Sequence, residues 1–469
     1  MSLINNLGRK LDQRFPRFFD VLGRILAPLE IATKKPVFGC HMCGQCLLHS
    51  TGMTCPMECP KNLRNGPCGG VGDDGSCEVD RSKTCTWYKA VNRSVKTPWS
   101  HKIYQRNPAV DWSLQGSSAW VNALTGRNHH DERKRPEWQK VEFIEPREKP
   151  FYSGSRFERL LRAGEFVVTC EVNPRDSADG TELIEYARTL EGAVDAVHIS
   201  DNFLAQPHMS GTAAAGMIEQ QTNLETILHM TCRDRNRLIM QSDLLGAHAM
   251  GVRNVLCLTG DHPSLGDHKE AKSVFDLDSM SFIALVRKMR DEGTFESGRE
   301  LTVPPKFFIG GAVAITAPPL EFRPHRMAKK IAAGVNFVTS QLVFDMDLLA
   351  DFVKRATDLG ILQNTYLLIG VGALPGPKAA EMINKHTPGV TIPDAIIKRL
   401  AGVPPSDRRK EGVKIVVEQI QQMREMPGIS GIDLMDMRPD AWFPTPEIVE
   451  LAGLSSRPVA PPLPENAAA

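Results

Sequence analysis

Eight of the chain's eleven cysteines fall between Cys40 and Cys85: Cys40, Cys43, Cys46, Cys55, Cys59, Cys68, Cys77 and Cys85. Thiols this dense pair with one another, oxidise, or bind metal. Disulfides fit poorly. Residues 1–39 show no uninterrupted apolar core or small-residue cleavage site of a secretory leader. The other three cysteines, Cys170, Cys232 and Cys257, stand singly in apolar, strand-like runs. That usage predicts a reduced, intracellular, cytoplasmic protein with metal at the clustered thiols. Zinc sites favour paired Cys-x-x-Cys or Cys/His sets, four ligands per ion. Here Cys40, Cys43 and Cys46 recur at every third position, followed by Cys55-Pro56 and Cys59-Pro60. A short-spaced triplet with later Cys-Pro pairs is an iron–sulfur ligand pattern. Eight thiolates match two 4Fe-4S clusters; two zinc sites, or one of each, are the alternative. Gly44, Gly66, Gly69 and Gly70 would let backbone amides turn toward cluster sulfurs. His41 and His49 are left without a vacancy.

A second set of polar residues sits at the ends of apolar runs. These are Cys170-Glu171-Val172-Asn173, Ser200-Asp201-Asn202, His229 with Thr231, Thr259-Gly260-Asp261-His262, and Ser340-Gln341 with Asp345. Each alone reads as a structural hydrogen bond or a helix cap. Five such ends facing one mouth read as a site. Glu171, embedded in Val-Val-Thr-Cys-Glu-Val, is expected to be a buried acid with a raised pKa, suited to proton donation.

The elements that must position these groups follow from periodicity. Strand candidates are 166–172, 196–201, 226–231, 254–259, 306–315, 337–344, 366–371 and 431–437. Most successive starts lie about thirty residues apart, room for one crossover helix each. Eight strands with intervening helices predict an α/β fold, a (βα)8 TIM barrel over 155–455, with catalytic groups at the strand C-termini. A doubly wound sheet is the alternative. Ahead of the barrel we expect a helical segment over 1–39, a cysteine-rich iron–sulfur or zinc domain over 40–96, and a Pro- and Trp-containing connector over 97–154. The tail 456–469 is expected to fray. Ile4, Leu7, Leu11, Phe15, Phe18, Leu22, Ile25 and Leu29 form one helical stripe, kinked or ended at Pro16 and Pro28, that packs on its own chain or a partner. Net charge is +1, from 56 basic and 55 acidic residues, which gives no electrostatic case for nucleic acid. No apolar run approaches the roughly 18–20 residues of a membrane span.

The barrel sequence resembles the methylenetetrahydrofolate reductase family. The resemblance rests on Thr169-Cys-Glu171, His229-Met-Thr231-Cys232, Leu258-Thr-Gly260-Asp261, Lys330 with Ala333-Gly334-Val-Asn336, and Ser340-Gln341-Leu-Val-Phe344-Asp345. The Cys40–Cys85 stretch, with Asn65-Gly-Pro-Cys-Gly-Gly70 and Cys85-Thr-Trp87, resembles the iron–sulfur module that accompanies acetogen-type reductases. The resemblance implies a flavin-dependent enzyme interconverting 5,10-methylene- and 5-methyltetrahydrofolate, with FAD or FMN as cofactor. It assigns the general acid to Glu171 and a flavin- and folate-side carboxylate to Asp261. It further implies folate contact at Gln341, flavin phosphates at Lys330, and flavin contacts at Ser200, Asp201, His229, Thr231 and Gly260. Electrons would come from ferredoxin, a partner oxidoreductase or NAD(P)H, and the chain would form a homo- or hetero-oligomer. One departure stands out. The family's Pro-Glu-x-His-Pro-Glu turn after the fifth strand is replaced by Thr316-Ala-Pro-Pro-Leu-Glu321, with Arg323 near an aspartate's place.

Overall fold

The computed structural model describes residues 2–128, 144–146, 150–435 and 444–463, with the backbone alone for 2–5. All eight expected strands form. They are β1 (Val167–Val172), β2 (Ala196–Ile199), β3 (Thr226–Thr231), β4 (Asn254–Leu258), β5 (Phe308–Val313), β6 (Phe337–Leu342), β7 (Tyr366–Val371) and β8 (Gly431–Leu434). Each pairs in parallel with its chain neighbours, and β1 closes on β8 from Val167 beside Gly431 to Cys170 beside Leu434. The sheet is therefore a closed barrel in simple chain order, which removes the doubly wound alternative. The expected extension of β8 to Met437 lies partly outside the described residues.

Strand parity decides what faces the axis. On β1, Val168, Cys170 and Val172 join the large apolar cluster between strands and outer helices. Val167 and Glu171 point the other way, to the barrel floor and the mouth respectively. The floor is a layer of Val167, Ala196, Ile227, Leu256, Phe308, Phe337 and Leu368, plugged by Phe157, Leu160 and Leu161 of the helix Arg156–Arg162. That helix starts where it does because Ser155 Oγ accepts from Glu158 N at 3.0 Å. The buried Glu158 carboxylate reaches back to the amides of Tyr152, Ser153 and Gly154 at 2.8–3.0 Å. Ser155 thus caps the helix, and Glu158 ties down the loop that leads into it. With the bottom sealed by hydrocarbon, polar strand residues collect at the C-terminal end.

The tail does not fray through the described residues. Arg457 donates to Phe166 O at 3.0 Å and pairs with Asp195, and Arg159 donates to Pro461 O at 2.7 Å. The N-terminal segment forms two helices, Ser2–Arg14 and Pro16–Phe38. Pro16 opens the second helix, where its missing N–H costs nothing. Pro28 lies inside that helix without ending it. Leu7, Leu11, Phe15, Phe18, Ile25 and Leu29 of the expected stripe are exposed, so the stripe does not pack on the described chain. Polar anchors hold these helices instead. Arg127 bridges Asp12 and Asp20 at 2.6 and 2.7 Å, and Ser118 Oγ donates to the buried Glu30 at 2.8 Å.

The connector docks through Trp112, whose Nε1 donates to Asp276 at 2.9 Å; Trp138 lies outside the described residues. The cysteine-rich stretch has little regular structure. It holds short turns at Leu48–Ser50 and Pro56–Glu58, isolated bridges at Val71–Cys77 and Ser76–Thr84, and the helix Thr86–Ser94. Its small apolar cluster of Leu63, Val71, Trp87, Ala90 and Ile103 is completed by Phe322 from the barrel.

Candidate active site

The strand C-termini open into a cavity of about 410 Å³, within the usual range for a small-molecule site. It collects Glu171 from β1, Ser200 and Asp201 after β2, His229 and Thr231 from β3, and Gly260 and Asp261 after β4. It also collects Lys330 from the helix Arg323–Ala333 and Gln341 from β6. The nine barrel residues given site roles by the family resemblance therefore line one space, and His262 does not. Nor does Asp345. Its carboxylate caps the helix Met346–Asp358, accepting from Asp347 N and Leu348 N.

The residues differ in how committed they already are. Asp201 accepts from Thr231 N and Oγ1 at 2.8 and 2.9 Å and from Arg235 at 2.6 Å. Asp201 and Thr231 thus lock the ends of β2 and β3 together. Glu171 is half-buried on the cavity wall rather than sealed as expected. Lys330 is 1 % exposed, and burial together with nearby Arg326 pushes its ammonium down to about 7. Ser200 Oγ, Thr339 Oγ1, Gln341 Oε1 and Arg326 Nε are buried at the cavity without a hydrogen-bond partner among the described residues. Buried polar atoms of this kind ordinarily have partners, and these four belong to residues that line the cavity.

Beneath the mouth lies a polar layer that the sequence reading missed. Thr169 Oγ1 donates to Asp433 Oδ1 at 2.9 Å, and His198 Nε2 stands 3.6 Å from the same oxygen. His198 Nδ1 and His229 Nε2 meet at 2.8 Å. Burial pushes Asp433 up to about 7 and His198 down to about 3, and it lowers His229 as well. Burial thus disfavours the charged form of all three groups. Asp433 also lines the cavity, a second carboxyl beside Glu171. Its signal was available, because Gly-Ile-Asp-Leu puts a carboxylate in an apolar strand just as the Glu171 run does.

The cysteine-rich stretch roofs the mouth. Lys61, Cys68, Gly69, Gly70 and Glu78 line the same cavity as the strand ends. Lys61 Nζ donates to Gly260 O at 2.8 Å and pairs with Glu78. Burial would lower the Lys61 ammonium, but Glu78, with Cys68 and Asp261 behind it, holds its pKa above the usual lysine value. Gly69 lies against Gln341, since a Cβ there would sit 2.5 Å from the Gln341 amide nitrogen and push that side chain aside. Arg323, in the replaced turn, latches roof to barrel. It is 1 % exposed and donates to Cys68 O at 3.0 Å and Pro318 O at 2.6 Å. No sequence pattern marks Lys61 or Glu78, which lie in a stretch without periodicity.

The eight clustered cysteines are free thiols and divide by chain order. Cys40, Cys43, Cys46 and Cys55 line one cavity; Cys59, Cys68, Cys77 and Cys85 line another. Each is about 20 Å³. Among the described residues, no three His, Cys, Asp or Glu side chains converge as a set that could hold a metal ion. Burial pushes Cys55 up to about 11 and Cys59 to about 12. Cys68, which lines both the second thiol cavity and the mouth, is raised well above the usual thiol value by burial and the Glu78 carboxylate. No helix of the described chain is long and apolar enough to cross a membrane.

Comparison with known proteins agrees with this layout. A family model described as methylenetetrahydrofolate reductase matches residues 156–452, and one described as methylene-tetrahydrofolate reductase C terminal matches 22–113. Methylenetetrahydrofolate reductase 2 of Schizosaccharomyces pombe is 25% identical over 220 residues, 45% of this chain and 33% of that protein. A probable methylenetetrahydrofolate reductase (NADPH) of Caenorhabditis elegans is 27% identical over 235 residues, 49% of this chain and 32% of that protein. The matched region thus spans only about a third of these relatives. A solved Clostridium thermocellum protein, described as binding two copies of 5-methyl-5,6,7,8-tetrahydrofolic acid, aligns at TM-score 0.42 and 14% identity, covering 64% of this chain and 97% of its own. On the match across residues 156–452, the chain belongs to the methylenetetrahydrofolate reductase family, with the family's C-terminal domain type placed ahead of the barrel.

Proposed function

We propose that the chain interconverts 5,10-methylene- and 5-methyltetrahydrofolate, using a flavin, FAD or FMN, in the barrel mouth. The observation that carries this reading is the convergence of Glu171, Asp261, Lys330 and Gln341 on one cavity. Four buried polar atoms without partners line it, and Lys330 brings a buried amine to the same wall, a setting for an anionic or phosphate-bearing cofactor. A bound flavin would supply hydride transfer to and from the one-carbon unit. The protein's part is position and proton. Opening the bridging ring of methylenetetrahydrofolate requires a proton at the departing nitrogen, and Glu171 is the cavity carboxyl assigned to give it. Gln341, with its amide oxygen unpartnered, orients the folate. Asp201 and Thr231 hold the strand ends, and the hydrocarbon floor keeps water from entering below.

The two thiol cavities suit iron–sulfur clusters. Four thiols line each one, the number that one 4Fe-4S cluster takes. A polynuclear cluster takes its thiolates at separated corners. Metal would displace the protons that burial keeps on Cys55 and Cys59. Electrons from ferredoxin or a partner oxidoreductase would enter here, and the second cavity shares Cys68 with the mouth.

The test is Glu171→Gln in the flavin-loaded protein. We expect flavin binding to persist and folate reduction to fall by about a hundred- to ten-thousand-fold, the usual contribution of a positioned general acid. Full folate turnover in the variant would remove Glu171 from that role. Colourless wild-type protein that moves methyl groups from folate to a corrinoid carrier would overturn the reading itself.

A further inference from the structure

The cysteine-rich stretch brings charge as well as thiols to the mouth. Lys61 is 4 % exposed, and its Nζ sits at the turn after β4. Of its three N–H donors, one goes to Gly260 O and one to the Glu78 carboxylate. Both Lys61 and Glu78 line the cavity that holds Glu171, Asp261 and Gln341. A buried lysine is costly unless its charge is used or compensated. Glu78 compensates it here and fixes its direction, while Gly70 leaves room for that carboxylate, which a Cβ at residue 70 would strike. The remaining donor is available to a ligand in the mouth. Glu171 and Asp261 line the strand ends, with Arg326 and Lys330 on the barrel side, so Lys61 is a basic group that reaches this lining from outside the barrel.

We propose that Lys61 is a ligand-positioning residue of the barrel site. It donates to the flavin ring seated in the mouth and favours the ring's reduced, anionic state over its oxidised, neutral one. The inference rests on the flavin reading above and adds what that reading does not contain. On this view the cysteine-rich stretch is a wall of the site as well as a carrier of metal. Its position at the Gly260–Asp261 turn, rather than on a strand, lets it act on a ligand without altering the barrel. A fixed cation in a site of low polarisability discriminates between two ligand charge states. A hydrogen bond from a charged donor corresponds to a preference of about tenfold or more.

The experiment is a spectroelectrochemical titration of the flavin in full-length, metal-loaded wild type, Lys61→Met and Lys61→Arg. Metal content is measured on the same samples. We expect Lys61→Met to shift the flavin midpoint to more negative potential. The shift corresponds to loss of about a tenfold preference for the reduced form, with metal-to-protein ratio kept. Lys61→Arg, which retains the charge, is expected to recover most of the wild-type midpoint. An unchanged midpoint in a metal-replete Lys61→Met protein overturns the inference and leaves the flavin reading intact. Equal shifts in Met and Arg variants also overturn it, because they would mark a packing role. If Lys61→Met loses metal or fails to fold, Lys61→Arg decides: a wild-type midpoint supports the inference, and a fully shifted one refutes it. Wild-type protein that takes up no flavin overturns the function reading and this inference together.

Discussion

The mouth is built from two regions that hold their shape by different means. The barrel side is fixed by register. Eight parallel strands and a hydrocarbon floor of Val167, Ala196, Ile227, Leu256, Phe308, Phe337 and Leu368 set the direction of every inward side chain. The roof side, from Cys59 to Cys85, has a helix at its end, isolated bridges, and a small apolar cluster completed by Phe322 of the barrel. Its order depends on ties: the Arg323 latch, the Lys61–Glu78 pair, and whatever the thiols bind. The lesson is that the barrel half of the site is set by strand register, whereas the half carrying Lys61 and Cys68 is set by individual side-chain contacts.

The largest effect that sharpens this contrast is metal removal. Stripping the thiol sites anaerobically should expose residues 40–96 to protease while the barrel stays resistant, because metal–thiolate binding contributes on the order of ten kcal/mol to such modules. Limited proteolysis read by mass spectrometry checks this. Unchanged protection of the roof would mean that docking alone orders it.

A smaller effect concerns the polar layer beneath the mouth. Burial holds Asp433 at about 7 against an ordinary 3.8, so the folded state binds that proton more tightly than the unfolded chain. The stability this contributes is complete below about pH 4 and is lost as pH rises through 7. Asp433→Asn should abolish that slope. The wild-type-minus-variant stability difference should fall by about 1–3 kcal/mol between those limits, read by denaturant unfolding at several pH values. A difference that stays flat would place the carboxylate in its ordinary range.

The same contrast explains what was legible in the sequence. Strands were legible because period-2 runs of apolar residues survive in any context; β3 and β7 fell at their expected limits. Glu171 was legible by parity and by resemblance. Asp433 carried the same parity signal, but His198 and Thr169 became meaningful only when closure set β1, β2 and β8 side by side. Lys61 had no signal, since its role arises from a contact with Gly260 across 199 positions of sequence. The N-terminal stripe was legible as helix but not in what covers it. Its spacing is helical, and helices form, but helical periodicity does not say what covers the apolar face, and Phe18 and Ile25 remain exposed. The cysteines were legible as a group. Their division into the first four and the last four was not, because spacing alone does not fix which turns fold together.

The central claim is that electrons reach the mouth through the roof. It is tested most directly by stopped-flow kinetics of Cys85→Ser, a thiol that lines the second cysteine cavity and not the mouth. With reduced ferredoxin as donor, flavin reduction should slow severely in the variant, while the half-reaction from pre-reduced flavin to methylenetetrahydrofolate keeps its wild-type rate. A folded variant that has lost cluster iron and sulfide yet accepts electrons from ferredoxin at the wild-type rate would contradict the account and leave the roof as scaffold.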